Sequence, residues 1–392
     1  MVLLLLLYLL LLLPVFSFSA NHHHLRKEAS LPAPSAFVWS ASDNYIRYNN
    51  TPFLIKGVNL HGIETTCKIV DGMWQQPLDF FLDRITKWGV NWIRIPISFE
   101  VMHDLDNMFV KDGCAAADPK YKNYSVGQFL EVLFTKLDER NIFALVDKHN
   151  IGGAITPYPY TDVATEPEVI KAWTKFVSRY SPHKSLVAIQ IQNEPHGECD
   201  LPCAFGHAKR VIDAVDQGTG FKGLYVLSGV QYAPTHNDSG AWGGILNSLL
   251  DPDIPSFEEY KNRIVLSVHV YGFDVRGPVA LEENEDTFER HFGFVSSLNG
   301  TAWDRVPVLI TEYGGYMEPG SKDMIVYDRL EKYISKRPRT GTFMWTTGQS
   351  SMDTHGIVTG NDWRGEDTNK LSYMELLQPH PTGTISHTST LI

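Results

Sequence analysis

Residues 189–195 read Ile-Gln-Ile-Gln-Asn-Glu-Pro, and residues 308–314 read Val-Leu-Ile-Thr-Glu-Tyr-Gly. Each is a run of strand formers that ends in a glutamate, Glu194 or Glu312, with a breaker close behind. Two acids brought to the rim of one sheet by strands far apart in sequence are the minimum equipment for splitting a glycosidic bond. One carboxyl protonates the leaving oxygen while the other attacks the oxocarbenium-like carbon. At a separation of about 5 Å the outcome is retention, which casts Glu194 as acid and then base and Glu312 as nucleophile. So close together both cannot ionise freely, so one pKa rises while the other stays low. A lone glutamate at a strand end is commonly a solvated rim residue; its company here favours chemistry.

Arg94 is the natural group to keep Glu312 charged, and Tyr271 is placed to hydrogen-bond it. Asn193, beside the acid, fits a grip on the sugar 2-hydroxyl, and His149 and His269 suit a proton network or substrate hydroxyls. Trp345, just before Thr346-Thr347-Gly348, and Trp242, within residues 241–244 (AWGG), offer flat faces for a sugar ring. Trp74 is a third aromatic of this kind.

Positioning these groups requires many strands. Runs at 53–60, 91–97, 143–150, 187–193, 224–230, 264–271, 306–312 and 341–347 have strand character, and helical periodicity marks 78–88, 126–140, 167–180, 205–216 and 321–335. Eight strands alternating with helices predict a single-domain α/β fold, a (β/α)8 TIM barrel. A doubly wound open sheet is the alternative, but the segment 57–62 (GVNLHG) lacks the glycine spacing of a phosphate loop. Strand parity with Glu194 inward takes Gln192, Gln190 and Ala188 with it; Glu312 inward takes Ile310 and Val308. Arg94, Asp147, His149, Ser267, His269, Tyr271 and Trp345 face the lumen on the same rule. That many polar groups at strand ends burden a core and suit the C-terminal mouth of a barrel.

Residues 1–19 are an apolar leader closing on small residues, shorter than a membrane span, and read as a signal peptide. Residues 20–36 are a flexible lead-in whose His22-His23-His24 reads as solvated linker, 37–377 the catalytic domain, and 378–392 a disordered Ser/Thr-rich tail. The chain is thus expected to be secreted and extracellular, with no membrane association once the leader is gone. Cys67, Cys114, Cys199 and Cys203 fit the oxidising route. They allow three pairings, and Cys67–Cys114 with Cys199–Cys203 is the expected set. No ligand cluster accompanies the closely spaced pair, so no metal is expected. Asn49, Asn123, Asn237 and Asn299 open glycosylation sequons. A formal net charge of -11 leaves no basic stripe for nucleic acid. The expected partner is a polysaccharide, with the chain a monomer.

Seven segments in barrel order then carry a resemblance: residues 55–59 (IKGVN), 89–96 (GVNWIRIP), 147–150 (DKHN), 192–197 (QNEPHG), 269–272 (HVYG), 311–315 (TEYGG) and 343–345 (FMW). Together they resemble glycoside hydrolase family 5, the cellulase family of the larger retaining barrel clan. Residues 242–244 (WGG), 290–293 (RHFG) and 353–357 (DTHGI) are similar to the branch holding bacterial and eukaryotic endo-β-1,4-glucanases. The resemblance implies a (β/α)8 barrel, double displacement and no cofactor. It carries acid/base to Glu194 and nucleophile to Glu312, with support from Arg94, His149, Asn193, His269, Tyr271 and Trp345. Lys148 departs from the neutral or His residue that relatives often place before the histidine. With no binding module after the barrel, soluble or amorphous β-1,4-glucan is the expected substrate. Mannan, xyloglucan and β-1,3-glucan remain alternatives on the same scaffold, as does a catalytically silent sugar-binding barrel.

Overall fold

The structure is a computed structural model and describes residues 38–152, 156–337 and 341–383. Its eight barrel strands, numbered in chain order, are β1 Ile55–Asn59, β2 Trp92–Ser98, β3 Phe143–Asn150, β4 Leu186–Gln190, β5 Leu224–Ser228, β6 Ile264–His269, β7 Val308–Tyr313 and β8 Gly341–Met344. They form a closed barrel in the order β6-β7-β8-β1-β2-β3-β4-β5, so sequence neighbours pair all the way round. All eight pairings are parallel, and the last, Gly341 with Ile55 through Met344 with Val58, closes the ring and rules out an open sheet.

Alternation along the strands sorts the side chains. Ile93, Ile95, Val146, Ile189, Leu266 and Ile310 join the helices in one outer apolar layer. Trp92, Leu145, Ala188, Val226, Val265, Leu309 and Phe343 fill the lower lumen. The antiparallel strands Trp39–Ser42, Tyr45–Tyr48 and Thr51–Pro52 add Trp39 and Ile46 to that cluster. Trp39 meets Trp92 and Phe143 edge-on at 5.3 and 4.8 Å, a geometry worth roughly 0.5–1.5 kcal/mol per pair beyond the area buried. One step further along the same strands come buried Asn59, Arg94, Asp147, Gln190, Ser228 and Ser267. The apolar end carries stability and the C-terminal end carries polar function.

Element ends differ from expectation where local chemistry decides. The helix expected at 205–216 runs Leu201–Thr219, because Asp200 accepts the Cys203 N–H at 3.1 Å and Gly220, at φ 66°, ends it. Helix Thr368–Leu377 was not expected; its buried face includes Lys370, whose ammonium donates to the Thr354 and Gly356 carbonyls and breaks the apolar pattern. Residues 378–383, expected within the disordered tail, are described and tied to the barrel. Gln378 is buried, and Thr382 exchanges hydrogen bonds with Leu54 just before β1 while its carbonyl accepts from Asn91 Nδ2. The expected leader, the lead-in and residues 384–392 lie outside the described residues. No helix among the described residues is long and apolar enough to cross a membrane.

Cys67 is bonded to Cys114 and Cys199 to Cys203, closing separations of 47 and 4 residues. On loop entropy, replacing Cys67 and Cys114 by serine should remove about 4 kcal/mol of stability, and replacing Cys199 and Cys203 about 2 kcal/mol. Guanidinium unfolding of the two double variants checks the order; equal losses count against a loop-entropy origin.

Candidate active site

The centre of the mouth is Arg94 of β2, fully buried. A guanidinium so placed is tolerable only when its charge and donors are matched. Here Nε donates to Gln190 Oε1 at 2.7 Å, Nη1 to Asn59 Oδ1 at 2.9 Å, and Nη2 to Asn193 Oδ1 at 2.7 Å. Charge is met by Asp147, 3.0 Å from Nη2, and by Glu312 through Nη1. Gln190 passes the network on, donating to Ser228 and Ser267 at 2.7 and 3.1 Å.

Glu312 reaches this centre by an irregularity rather than by simple alternation. Between Ile310 and Glu312, β7 slips one residue against β6, with Val268 opposite Ile310 but His269 opposite Glu312. Thr311 is the extra residue, and such a bulge re-aims the next side chain. The parity expected for β7 is therefore corrected: Leu309 belongs to the lumen cluster, while Ile310, with Val308 packed against the same layer, faces the helices. Once re-aimed, Glu312 accepts from Arg94 through Oε1 and from the Tyr271 hydroxyl through Oε2 at 2.7 Å.

Glu194 also sits off the regular ladder. β4 ends at Gln190, and the chain continues as Ile191 and Asn193 donate to the Val226 and Lys148 carbonyls at 3.3 and 3.1 Å. Gly243, in the loop after β5, closes over it: a Cβ there would stand 3.6 Å from Glu194 Cγ. His269 Nδ1 lies 2.7 Å from Glu194 Oε1 and 3.4 Å from Glu312 Oε2. One oxygen of each glutamate and a ring nitrogen of His269 all fall within 4.8 Å of one another. Such a trio has the donor types of a divalent-cation site, but both Glu312 oxygens already accept from Arg94 and Tyr271.

The two acids differ in their nearest partners. Burial raises the Glu194 pKa to about 7, against the opposing charges of His149, Arg94 and His196. Its partner His269 is lowered to about 4 by burial and so stays neutral. Two histidines near the pair are shifted the other way. His149, whose Nδ1 is 3.0 Å from Asp147 Oδ2, has its pKa raised because Asp147, Glu312 and Glu64 outweigh the cost of burial. His61 is raised to about 9 because Glu64, Asp71 and Glu312 outweigh burial in the same way. Tyr271 is pushed well above its usual range by burial and the two carboxylates, so its hydroxyl remains a donor.

Two indoles stand beside the acids. Trp345 is stacked on His149 at 5.2 Å and 9°, with His61 5.5 Å from its ring. Trp242 lies flat on His196 at 4.1 Å and 4°, 43% exposed, and the His196 ring holds the Glu194 carbonyl at 2.7 Å. Trp74 instead packs edge-on against Trp363 at 5.2 Å. Lys148 shares the outward parity of Val146; it is buried, its ammonium has no hydrogen-bond partner among the described residues, and burial lowers its pKa to about 7. The four sequon asparagines are all exposed.

The mouth thus brings together Arg94, His149, Asn193, Glu194, His269, Tyr271, Glu312 and Trp345, with Trp242 at its edge. Sequence reasoning gave no part to Asn59, His61, Glu64 or His196. Asn59 and His61 share the parity of Gly57 on and beyond β1, and that alternation was the available signal. Glu64 and His196 lie on loops, where no period applies.

Known proteins share this architecture. An endoglucanase of Paenibacillus polymyxa is 26% identical over 325 residues, 78% of each chain. The major extracellular endoglucanase of Xanthomonas campestris is 26% identical over 373 residues, covering 89% of this chain and 73% of that one. Among solved structures, an endocellulase of Pyrococcus horikoshii in complex with cellotetraose aligns at a TM-score of 0.75 and 25% identity, over 88% of this chain and 99% of its own. The model of the cellulase family, glycosyl hydrolase family 5, matches residues 47–351, and the chain belongs to that family.

Proposed function

We propose that this glycoside hydrolase is a secreted, retaining endo-β-1,4-glucanase in which Glu194 is acid/base and Glu312 nucleophile. The observation that carries the reading is the approach of the two carboxyls, an oxygen of each within 4.8 Å of the other. That suits direct attack with retention, for which about 5–5.5 Å is typical, and leaves too little room for the water that an inverting pair accommodates at about 6.5–9.5 Å.

Geometry supports the division of labour. Glu312 faces Arg94 and Tyr271, which hold a carboxylate at a fixed angle for attack on the anomeric carbon. Glu194, its pKa raised to about 7 by burial, keeps a proton for the leaving oxygen near neutrality. Once the covalent glycosyl-enzyme forms, the deprotonated Glu194 draws a proton from water, which attacks the same carbon. Trp345 offers a ring face for the sugar next to the nucleophile, and Trp242 one on the acid/base side. Asn193, its side-chain oxygen fixed by Arg94, presents its amide nitrogen, which has no partner among the described residues, as a donor to the 2-hydroxyl.

The endoglucanases and the cellotetraose-bound endocellulase among the relatives favour β-1,4-glucan as substrate. The extracellular relative, the two disulfides and the apolar leader favour export. The test is reducing-sugar release and viscosity loss on carboxymethylcellulose, barley β-glucan and mannan, with proton NMR of the first-formed product. β-Glucan cleavage giving the β-anomer first is expected. Cleavage of mannan alone, or the α-anomer first, overturns the substrate or the stereochemical reading respectively.

A further inference from the structure

Tyr271 and Glu312 both leave the regular ladder before their side chains meet. Tyr271 stands two residues beyond β6, and Glu312 follows the register slip in β7. One backbone bond joins the two segments, Val270 N–H to the Glu312 carbonyl at 3.0 Å. A second set of bonds comes from the helix Lys322–Ile334, from two residues one turn apart on a single face. The Tyr327 hydroxyl accepts the N–H of Gly272 at 3.2 Å and of Gly314 at 3.0 Å, and donates to the Gly314 carbonyl. Asp323 Oδ1 accepts the Asp274 N–H at 3.2 Å, and Asp274 Oδ2 in turn accepts the Tyr316 N–H at 3.0 Å.

Both residues are fully buried, and the loops fit them closely. A Cβ at Gly272 would come within 2.1 Å of Asp323 Oδ1, and one at Gly315 within 2.0 Å of Oδ2, so the carboxylate fills the space that two glycines leave. A phenylalanine would bury as much surface at 327. The hydroxyl adds three backbone bonds, all to the residue after Tyr271 and the second residue after Glu312.

We propose that Tyr327 and Asp323 are positioning residues: by clamping residues 272–274 and 314–316 to one helix face, they set the hydrogen bond from Tyr271 to Glu312. The role rests on the reading of Glu312 as nucleophile. Misplacement of a reacting group by about 1 Å costs up to about 100-fold in rate, so the clamp acts on kcat rather than on binding.

The experiment compares wild type, Tyr327→Phe, Tyr271→Phe, their double variant, Asp323→Asn and Asp323→Ala. The control, Tyr180→Phe, removes a buried hydroxyl that donates to the Gly127 carbonyl between the helices Glu166–Tyr180 and Val126–Arg140. On barley β-glucan, Tyr327→Phe should lower kcat about 10- to 100-fold with KM within about 2-fold. Tyr180→Phe should lower the melting temperature comparably with kcat unchanged. Tyr327→Phe should add little in the Tyr271→Phe background, the non-additivity expected of groups acting through one contact. Asp323→Asn, which keeps an oxygen toward the Asp274 N–H, should retain activity that Asp323→Ala loses. A crystal structure of Tyr327→Phe should show the Tyr271 to Glu312 distance lengthened from 2.7 Å. An unchanged distance, or fully additive kcat losses, overturns the clamp. A wild-type protein inactive on every β-glucan overturns the proposed function instead, and the crystal distance still decides the clamp.

Discussion

Glu312→Gln should fold, still bind cello-oligosaccharide, and lose on the order of 10⁵-fold in kcat, the scale seen when a covalent nucleophile is removed. The amide is close to isosteric, so the groove keeps its shape. On the proposed assignment, what disappears is the atom that forms the glycosyl bond and the negative charge that offsets the oxocarbenium-like carbon. Stability falls only partly as far as breaking a buried ion pair would imply, because Arg94 retains Asp147 at 3.0 Å. Glu312→Ala makes a sharper test. With azide filling the vacated space, attack comes from the nucleophile's side of the sugar in one displacement, so the product is the α-glycosyl azide. The checks are kcat on barley β-glucan for the Gln variant and product NMR for the Ala variant. Activity within about tenfold of wild type, far short of the loss typical of a missing nucleophile, or a β-azide from Glu312→Ala, removes Glu312 from the role.

The barrel was legible because its strands are short, regular and apolar on both faces, and β3 was read to its observed ends, Phe143–Asn150. The mouth was legible for the opposite reason. Arg94, Asp147 and His269 interrupt apolar runs at lumen parity, a placement that core packing does not favour. What sequence could not show is where the ladder breaks. Ile310 looks like the inward companion of Glu312 until the slip at Thr311 turns it toward the helices. Likewise β4 stops at Gln190, so Glu194 is held by a post-strand segment hung on its neighbours' carbonyls. Bulges arise from pairing between strands, and no single strand's periodicity contains them. Loop residues Glu64 and His196 were missed because no period marks them: Glu64 folds back on the ring of His61, and His196 meets the distant Trp242.

That geometry also gives the two glutamates different partners. Arg94 donates directly to Glu312, while Arg94 and His149 also act on Glu194, whose nearest side-chain partner is the neutral ring of His269.

It follows that Glu194→Ala loses activity in a way that depends on the leaving group. On polysaccharide, where the departing sugar oxygen needs a proton, kcat falls about 10²- to 10⁴-fold, the usual worth of a general acid. On a dinitrophenyl β-cellobioside, whose leaving group departs unprotonated, formation of the glycosyl-enzyme is nearly unaffected and hydrolysis of the intermediate becomes limiting. Azide, a nucleophile that needs no general base, then restores turnover and gives the β-glycosyl azide, the opposite anomer to that from Glu312→Ala. The pH profile carries the same signature. Wild-type kcat/KM on polysaccharide should fall above about pH 7, because burial raises the Glu194 pKa to about that value and on the proposed assignment only the protonated form is the acid. Glu194→Ala should lose that alkaline limb in its residual cleavage of polysaccharide. Equal losses on both substrates, or an alkaline limb that survives in Glu194→Ala, would move the acid to another residue.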